Sequence, residues 1–386
     1  MFDKQLFKNI DYIIIFTIVL LVGIGIFTIG LATRSPVDGS EDITGAIESL
    51  NLNQVKLQLI WFGTGLVLMI ITASLDYHFL ATISPYIYGI VVGLLVLVAF
   101  AGSEGGGAIR WIQIGPFKLQ PSEFAKIAVI LSLARLMAKR EEKGINNIKS
   151  IGLILITIGI PIVLIVAQPD LGTSISLLAI LIGMLFVAGL NYKLIFGGLA
   201  AIAAAIPIAW FYLLKPFQRN RILIFLNPEL DPLGHGMNAL QSMMSIGSGQ
   251  VWGQIDKGGA FSGNTLSQLD YLPAKETDFI FSVTVEALGF VGGITIIALF
   301  FILLIRTVVI GAKAKDMLGS LIAVGVASMT LFHVFENIGM TMGIMPITGI
   351  PLPFVSYGGS SMWTNMIAFG LVLNVGMRRH KLKFRR

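Results

Sequence analysis

The chain has no cysteine among its 386 residues, only four histidines and 12% charged residues. The first absence excludes a disulfide framework, a thiolate nucleophile and thiolate metal ligation. Any part outside a membrane is therefore held by packing and hydrogen bonds. The scarcity of charge, against 55% hydrophobic residues and a mean hydropathy of +0.85, excludes a disordered chain and a soluble multidomain enzyme. The net charge of +6 does not point to nucleic acid, because six of the Lys/Arg residues crowd into Arg378 to Arg386, directly after a long apolar segment. That placement fits a cytoplasmic anchor against anionic membrane lipid.

Long apolar runs are abundant. A membrane helix needs about 20 apolar residues; Tyr12–Thr33 supplies 22 without a charge and lacks a small-residue cleavage site, so it reads as a retained first span. Further candidates are Leu57–Ser74, Phe79–Ala101, Phe124–Met137, Ile151–Gln168, Leu171–Leu190, Leu194–Leu214, Phe279–Ile305, Met317–Met340 and Ser360–Met377. The prediction is an all-α polytopic membrane protein of about ten transmembrane helices, a single integral membrane domain over 1–386. Lys/Arg collects in alternate short segments, at Lys4 and Lys8, Arg135 to Lys149, Lys193, Arg306 to Lys315 and the tail, which puts both termini in the cytoplasm. The acidic loop with Asp38, Glu41, Asp42 and Glu48, and the 64-residue loop Lys215–Asp278, then face outward.

The polar residues that interrupt these runs carry the chemistry. Gly105-Gly106-Gly107 to Trp111 reads as a glycine turn leading to a helix start at Gln120-Pro121-Ser122, with Gln120 or Ser122 as cap. Lys126 stands about one turn inside that span and needs an anion, from Glu123 three residues earlier or from a ligand. Gln168-Pro169-Asp170 suits a tight turn with Asp170 capping the next helix. Arg219 and Arg221 open the long loop; their forked donors match a diphosphate, and they equally suit lipid headgroups. Apolar positions around Met237–Ile246 recur at helical spacing, as in a short amphipathic helix on the membrane. Asp278 ends the loop, as an N-cap of the next helix or as a reactive carboxylate. Glu286, inside that helix, requires a partner or a watery cavity. His333, Glu336 and Asn337 share one face, for interhelical hydrogen bonds or for catalysis. The uncharged, proline-broken stretch Met345 to Ser361 cannot face lipid and must line a protein cavity or re-enter from outside, and it reads as a wall of the external cleft.

Six of these segments, in order, resemble the SEDS family (shape, elongation, division and sporulation): Gly107-Ala108-x-Arg110-Trp111, Gln120-Pro121-Ser122-Glu123-x-x-Lys126, Gln168 to Thr173, Gln218-Arg219-x-Arg221, Leu272-Pro273 to Thr277-Asp278-Phe279, and Thr348 to Phe354 with Ser356 to Ser361. Thr364 to Ala368 and Asp11-Tyr12 are similar to its elongation branch more than to its division branch. The resemblance implies a peptidoglycan glycosyltransferase that polymerises lipid II into a growing glycan strand outside the cytoplasmic membrane, beside a class B penicillin-binding protein that cross-links the product. It also implies that Asp278 is the essential acid, that Lys126 faces it across a cavity, and that Trp111 borders that cavity. Glu276 stands where the family commonly has histidine, and Ala287 where it has a second acid, so roles for those two positions do not carry over.

The expected chemistry is inverting transfer. The acceptor hydroxyl needs a base, assigned to Asp278, and the departing polyprenyl diphosphate needs positive charge, assigned to Arg219 and Arg221 with Lys126. Arg110, Trp111 and Glu123 complete the substrate-binding candidates. No cofactor is expected to be tightly bound and no metal-ligand cluster is evident, although a divalent cation such as Mg2+ or Mn2+ could share the work on the diphosphate. A lipid-linked precursor flippase, or a noncatalytic scaffold for the penicillin-binding protein, accounts for the helices and buried charges as well.

Overall fold

A computed structural model describes residues 9–33, 52–105, 108–115, 117–140, 145–213, 216–227, 231, 234–254, 265–267 and 272–378. The acidic first loop, Lys4, Lys8 and the tail beyond Arg378 lie outside them. The described chain is almost entirely helical: α1 (Tyr12–Ala32), α2 (Leu52–Ser74), α3 (Tyr77–Ala101), α4 (Pro121–Ala138), α5 (Ile148–Ala167), α6 (Leu171–Val187), α7 (Tyr192–Ile208), α8 (Pro216–Leu226), α9 (His235–Gly249), α10 (Ile280–Ala312), α11 (Met317–Thr341) and α12 (Gly359–Met377). Each of the ten sequence-predicted runs coincides with a helix, and α8 and α9 are additional helices inside the long loop. Seven helices (α1, α2, α3, α5, α7, α10 and α11) are long and apolar enough to cross a membrane. The other three expected spans differ for physical reasons. α4 carries Glu123, Lys126 and Arg135, α6 has only 17 residues, and α12 buries Thr364, Asn365 and Asn374.

Polar caps set several helix starts. Asp76, Asn147, Asp170 and Asp316 each accept a backbone N–H from the first turn of α3, α5, α6 and α11. Gln120 precedes α4 with Pro121 in its first turn, but neither Gln120 nor Ser122 caps it by side chain; both reach Asp170 instead. Hydroxyls inside the helices return to the carbonyl four residues back, as Thr284 to Ile280 and Thr330 to Val326 do, which satisfies them away from water. α12 sits against α2, α4, α10 and α11, so nearly all its side chains are buried. Large apolar side chains such as Phe16, Phe79, Ile90, Phe186 and Phe301 point outward, as expected of a bundle embedded in lipid.

Two local features depart from the sequence reading. Of the expected glycine turn before α4, Gly106 and Gly107 lie outside the described residues, and the segments around them form a small antiparallel sheet of β1 (Ser103–Gly105), β2 (Ala108–Ile114) and β3 (Phe117–Leu119), with Gly105 opposite Ala108 and Ile112 opposite Leu119. The helix expected around Met237–Ile246 exists as α9, but it docks on protein. Ser242 Oγ lies 2.6 Å from Ser282 Oγ and donates to the Thr341 carbonyl at 2.8 Å. α10 is interrupted at Gly289, whose φ is 69°. There the segment after α9 substitutes for the helix's own ladder: Phe290 N–H donates to Gln250 O at 2.8 Å, and Gln254 N–H donates to Glu286 O at 2.9 Å.

Candidate active site

At the end of the bundle where β2, α4, α6 and α10 begin, a cavity of about 330 Å3 opens. Arg110 and Trp111 come from β2, Lys118 and Gln120 from the approach to α4, and Glu123 from its first turn. Asp170 and Thr173 line it from the head of α6, Thr277 and Asp278 from the turn before α10, and His333 from α11. The remaining wall is Gly349 to Pro351 and Tyr357 to Ser361, the broken stretch expected to line a cavity. Buried Gln58 of α2 holds that stretch from behind, donating to Ser356 O at 3.1 Å and accepting from Gly358 N–H at 3.3 Å.

Asp278 does not cap α10; Phe279 occupies that position, and no side chain caps the helix. The carboxylate is instead presented by a tight turn. Ala274, at φ 50°, offers its carbonyl to the N–H groups of Thr277, Asp278 and Phe279 at 3.1, 3.1 and 3.3 Å. Two side chains fix this turn to the opposite wall. Asn337 donates to Asp278 O at 2.9 Å and to Ile350 O at 2.8 Å, while Ser356 Oγ donates to Thr277 O at 2.6 Å. Gly349 has φ 77°, and a Cβ there would lie 3.3 Å from Asp278 Oδ2, so this wall comes within one methyl group of the acid.

Two charge centres flank the acid. Lys126, 1% exposed, donates to Glu123 Oε1 at 2.8 Å and lies 3.2 Å from His333 Nε2. Asp170 Oδ2 accepts from Thr173 Oγ1 at 2.9 Å, Gln120 Nε2 at 3.4 Å and Ser122 Oγ at 3.5 Å, with Arg110 at 3.7 Å. Its Oδ1 takes the Thr173 N–H at 3.2 Å, so the expected cap also ties three cavity walls together. Burial first, and the Glu276 charge second, push the Tyr357 phenol above its ordinary value, which keeps it a proton donor.

The structure thus brings Arg110, Trp111, Glu123 and Asp278 to one cavity, with Lys126 directly behind Glu123. It does not bring Arg219 there: that guanidinium, on α8, donates to the Phe211 carbonyl at 3.0 Å. The side chain of Arg221 lies outside the described residues. Asp170, Asn337, Gln58 and His333 carry more of the site than the sequence reading gave them. Glu286 finds its partner in protein, accepting the Leu266 N–H at 2.7 Å and the Ser267 N–H at 3.2 Å. Among the described residues no cluster of three His, Cys, Asp or Glu could hold a metal ion, and Asp170 and Glu123 are already engaged by other side chains.

The sequence model of the cell cycle protein family matches residues 11–381. Peptidoglycan glycosyltransferase MrdB of Escherichia coli strain K12 is 41% identical over 318 residues, 82% of this chain and 84% of the relative. Peptidoglycan glycosyltransferase RodA of Treponema pallidum is 33% identical, covering 96% and 98%. Among solved structures, a chain of a peptidoglycan synthase complex, described as coordinating polymerization and crosslinking, superposes with a TM-score of 0.80 at 30% identity, covering 96% of this chain and 99% of that one. The crystal structure of the rod shape determining protein RodA of Thermus thermophilus gives 0.69 at 26% identity, covering 96% and 98%. Matched along nearly its whole length, the chain belongs to this cell cycle protein family, the SEDS family that its motifs resemble.

Proposed function

We propose that this protein is a peptidoglycan glycosyltransferase that polymerises lipid II into glycan strands on the outer face of the cytoplasmic membrane. Family membership gives the reaction class. The observation that carries the assignment of roles is the position of Asp278, an acid on a braced turn that lines a cavity also lined by Arg110 and Lys118. Asp278 is the base that takes the proton from the acceptor's 4-hydroxyl as that oxygen attacks the anomeric carbon of the lipid-linked donor. The polyprenyl diphosphate leaves with its electrons, and positive charge stabilises it. Arg110 and Lys118 line the cavity and are better placed for this than Arg219, whose guanidinium donates to the Phe211 carbonyl in the segment before α8. Trp111 supplies an apolar face for sugar or lipid beside them.

Among the described residues none form a ready-made cage for a divalent ion. The bundle's cavity end faces outward by the distribution of Lys/Arg, with the ten helices crossing the membrane. A class B penicillin-binding protein would receive the product there, as the similarity to a chain of a peptidoglycan synthase complex supports. Similarity to the rod shape determining protein RodA of Thermus thermophilus supports a duty in elongation.

The test is polymerisation of labelled lipid II in detergent by wild type and Asp278→Ala, each with and without the cognate penicillin-binding protein. Glycan ladders from wild type and none from a folded mutant are expected. Full activity in the mutant would remove Asp278 from the base role. Lipid II translocation without ladders, from any form, would favour a flippase.

A further inference from the structure

Lys126 is almost completely buried and is not among the residues that line the cavity, whereas both of its partners, Glu123 and His333, are. An ammonium paired with a carboxylate is a donor only, so the His333 Nε2 that it approaches at 3.2 Å must present a lone pair. The imidazole is therefore neutral, with its proton on Nδ1. That Nδ1–H is buried and has no partner among the described residues, and the same holds for Glu123 Oε2. Buried polar atoms of this kind are rare and costly unless something satisfies them. Here a donor and an acceptor, each locked in orientation by the same lysine, belong to two side chains on the wall of the cavity that holds Asp278.

We infer that Glu123 and His333 form a subsite for an uncharged group of the glycan that both gives and takes a hydrogen bond, a sugar hydroxyl or an acetamido group, with Lys126 positioning the pair from behind. A diphosphate would meet the Glu123 carboxylate with like charge and find only one donor, so the lysine does not serve the leaving group as the sequence suggested. An acetamido group carries a donor N–H and an acceptor C=O, the chemical complement of the two free atoms. The inference rests on the transferase reading for its substrate.

Two substitutions separate the ring's two edges. His333→Gln keeps an acceptor near Lys126 and removes the Nδ1 donor, while His333→Asn keeps a donor near the Nδ1 position and removes the acceptor. On labelled lipid II, with the cognate penicillin-binding protein present, His333→Gln is expected to lose roughly tenfold in kcat/KM, chiefly through KM, and His333→Asn only about threefold. The reverse order, or equal activity in both, overturns the subsite, because His333 would then serve Lys126 alone or nothing. Binding is measured as well, in an Asp278→Asn background, to lipid II and to polyprenyl diphosphate without sugars. His333→Gln should weaken the first and leave the second unchanged; equal loss on both overturns the inference. If wild type makes no ladders yet binds lipid II, the transferase reading fails and the binding comparison still decides the subsite. If neither histidine variant folds, wild type itself decides: it must bind lipid II more tightly than the sugarless diphosphate, and equal affinity overturns the proposal.

Discussion

A single missing Cβ sets how closely the cavity wall approaches the acid. Gly349 combines φ 77° with a Cβ position 3.3 Å from Asp278 Oδ2, so Gly349→Ala both strains the backbone and displaces the carboxylate. The expected outcome is a folded protein whose polymerisation rate falls by roughly tenfold, since a 3.3 Å contact displaces the carboxylate by less than the ~1 Å that costs about a hundredfold. Ladder formation and the melting temperature, read on the same preparation, check it. Activity near wild type would mean that the acid tolerates more movement than this contact implies. Asp278, Lys126 and Glu123 were legible as candidates because an ionisable side chain at the head of an apolar helix is conspicuous. Asn337 was legible only as part of a polar helix face and Gln58 not at all, because their partners are backbone groups far away in sequence, which no local spacing reveals.

Among the elements, α10 is the one whose start, interior and break all bear on the site. Its first turn follows Asp278, and Glu286 holds two backbone N–H groups of the 265–267 segment. Lys275 Nζ in turn donates to Ser267 O at 2.8 Å, so the anchored segment braces the turn that presents the acid. Glu286→Ala leaves both N–H groups unsatisfied, at about 1–3 kcal/mol each. The melting temperature should fall by several degrees, with hydrogen exchange rising at 265–278 and polymerisation reduced; protection unchanged across that segment would refute the anchoring role. Gly289→Ala tests the break, because its Cβ would sit 2.3 Å from Val251 O and 2.4 Å from Gly253 N. The expected result is poor yield and a lowered melting temperature, measured against wild type by size-exclusion in detergent. The ten hydrophobic runs announced their helices through length and hydropathy alone. The small sheet was missed although Ile112-Gln113-Ile114 alternates as a strand does, because the glycines before it are the stronger turn signal.

At the scale of the whole molecule, charge is placed at both ends and serves different purposes. Away from the cavity, His78 bridges Asp76 at 2.9 Å and Asp316 at 2.8 Å, and Arg378 donates to Ser74 O at 2.9 Å, which joins the α2–α3 turn to the head of α11 and the end of α12. Partial burial raises the Asp76 carboxyl, but hydrogen bonds from His78 and the charges of His78 and Arg378 outweigh it and leave the group below its ordinary value of 3.8. A lowered value means stability present above the ordinary value and lost as pH falls through the lowered one. Solvent screens this half-exposed group, so Asp76→Asn should lower the melting temperature at pH 7 by only about 1–2 °C, a difference that disappears as pH falls below 3.8 through the lowered value. Thermal unfolding followed across pH in both proteins checks it; a constant difference between them at every pH would rule the carboxylate out.

The cavity itself is assembled from β2, the heads of α4 and α6, the turn before α10, the middle of α11 and the stretch leading into α12. Asn337 and Ser356 reach back to brace Asp278 and Thr277 from parts of the chain that are synthesised after them. During insertion into a membrane the acid therefore emerges on an unbraced turn, with one wall of its pocket still inside the ribosome. A protein that joins precursors into an essential polymer cannot act at the wrong moment if its reactive geometry does not exist until Asn337 and Ser356 have been made and packed.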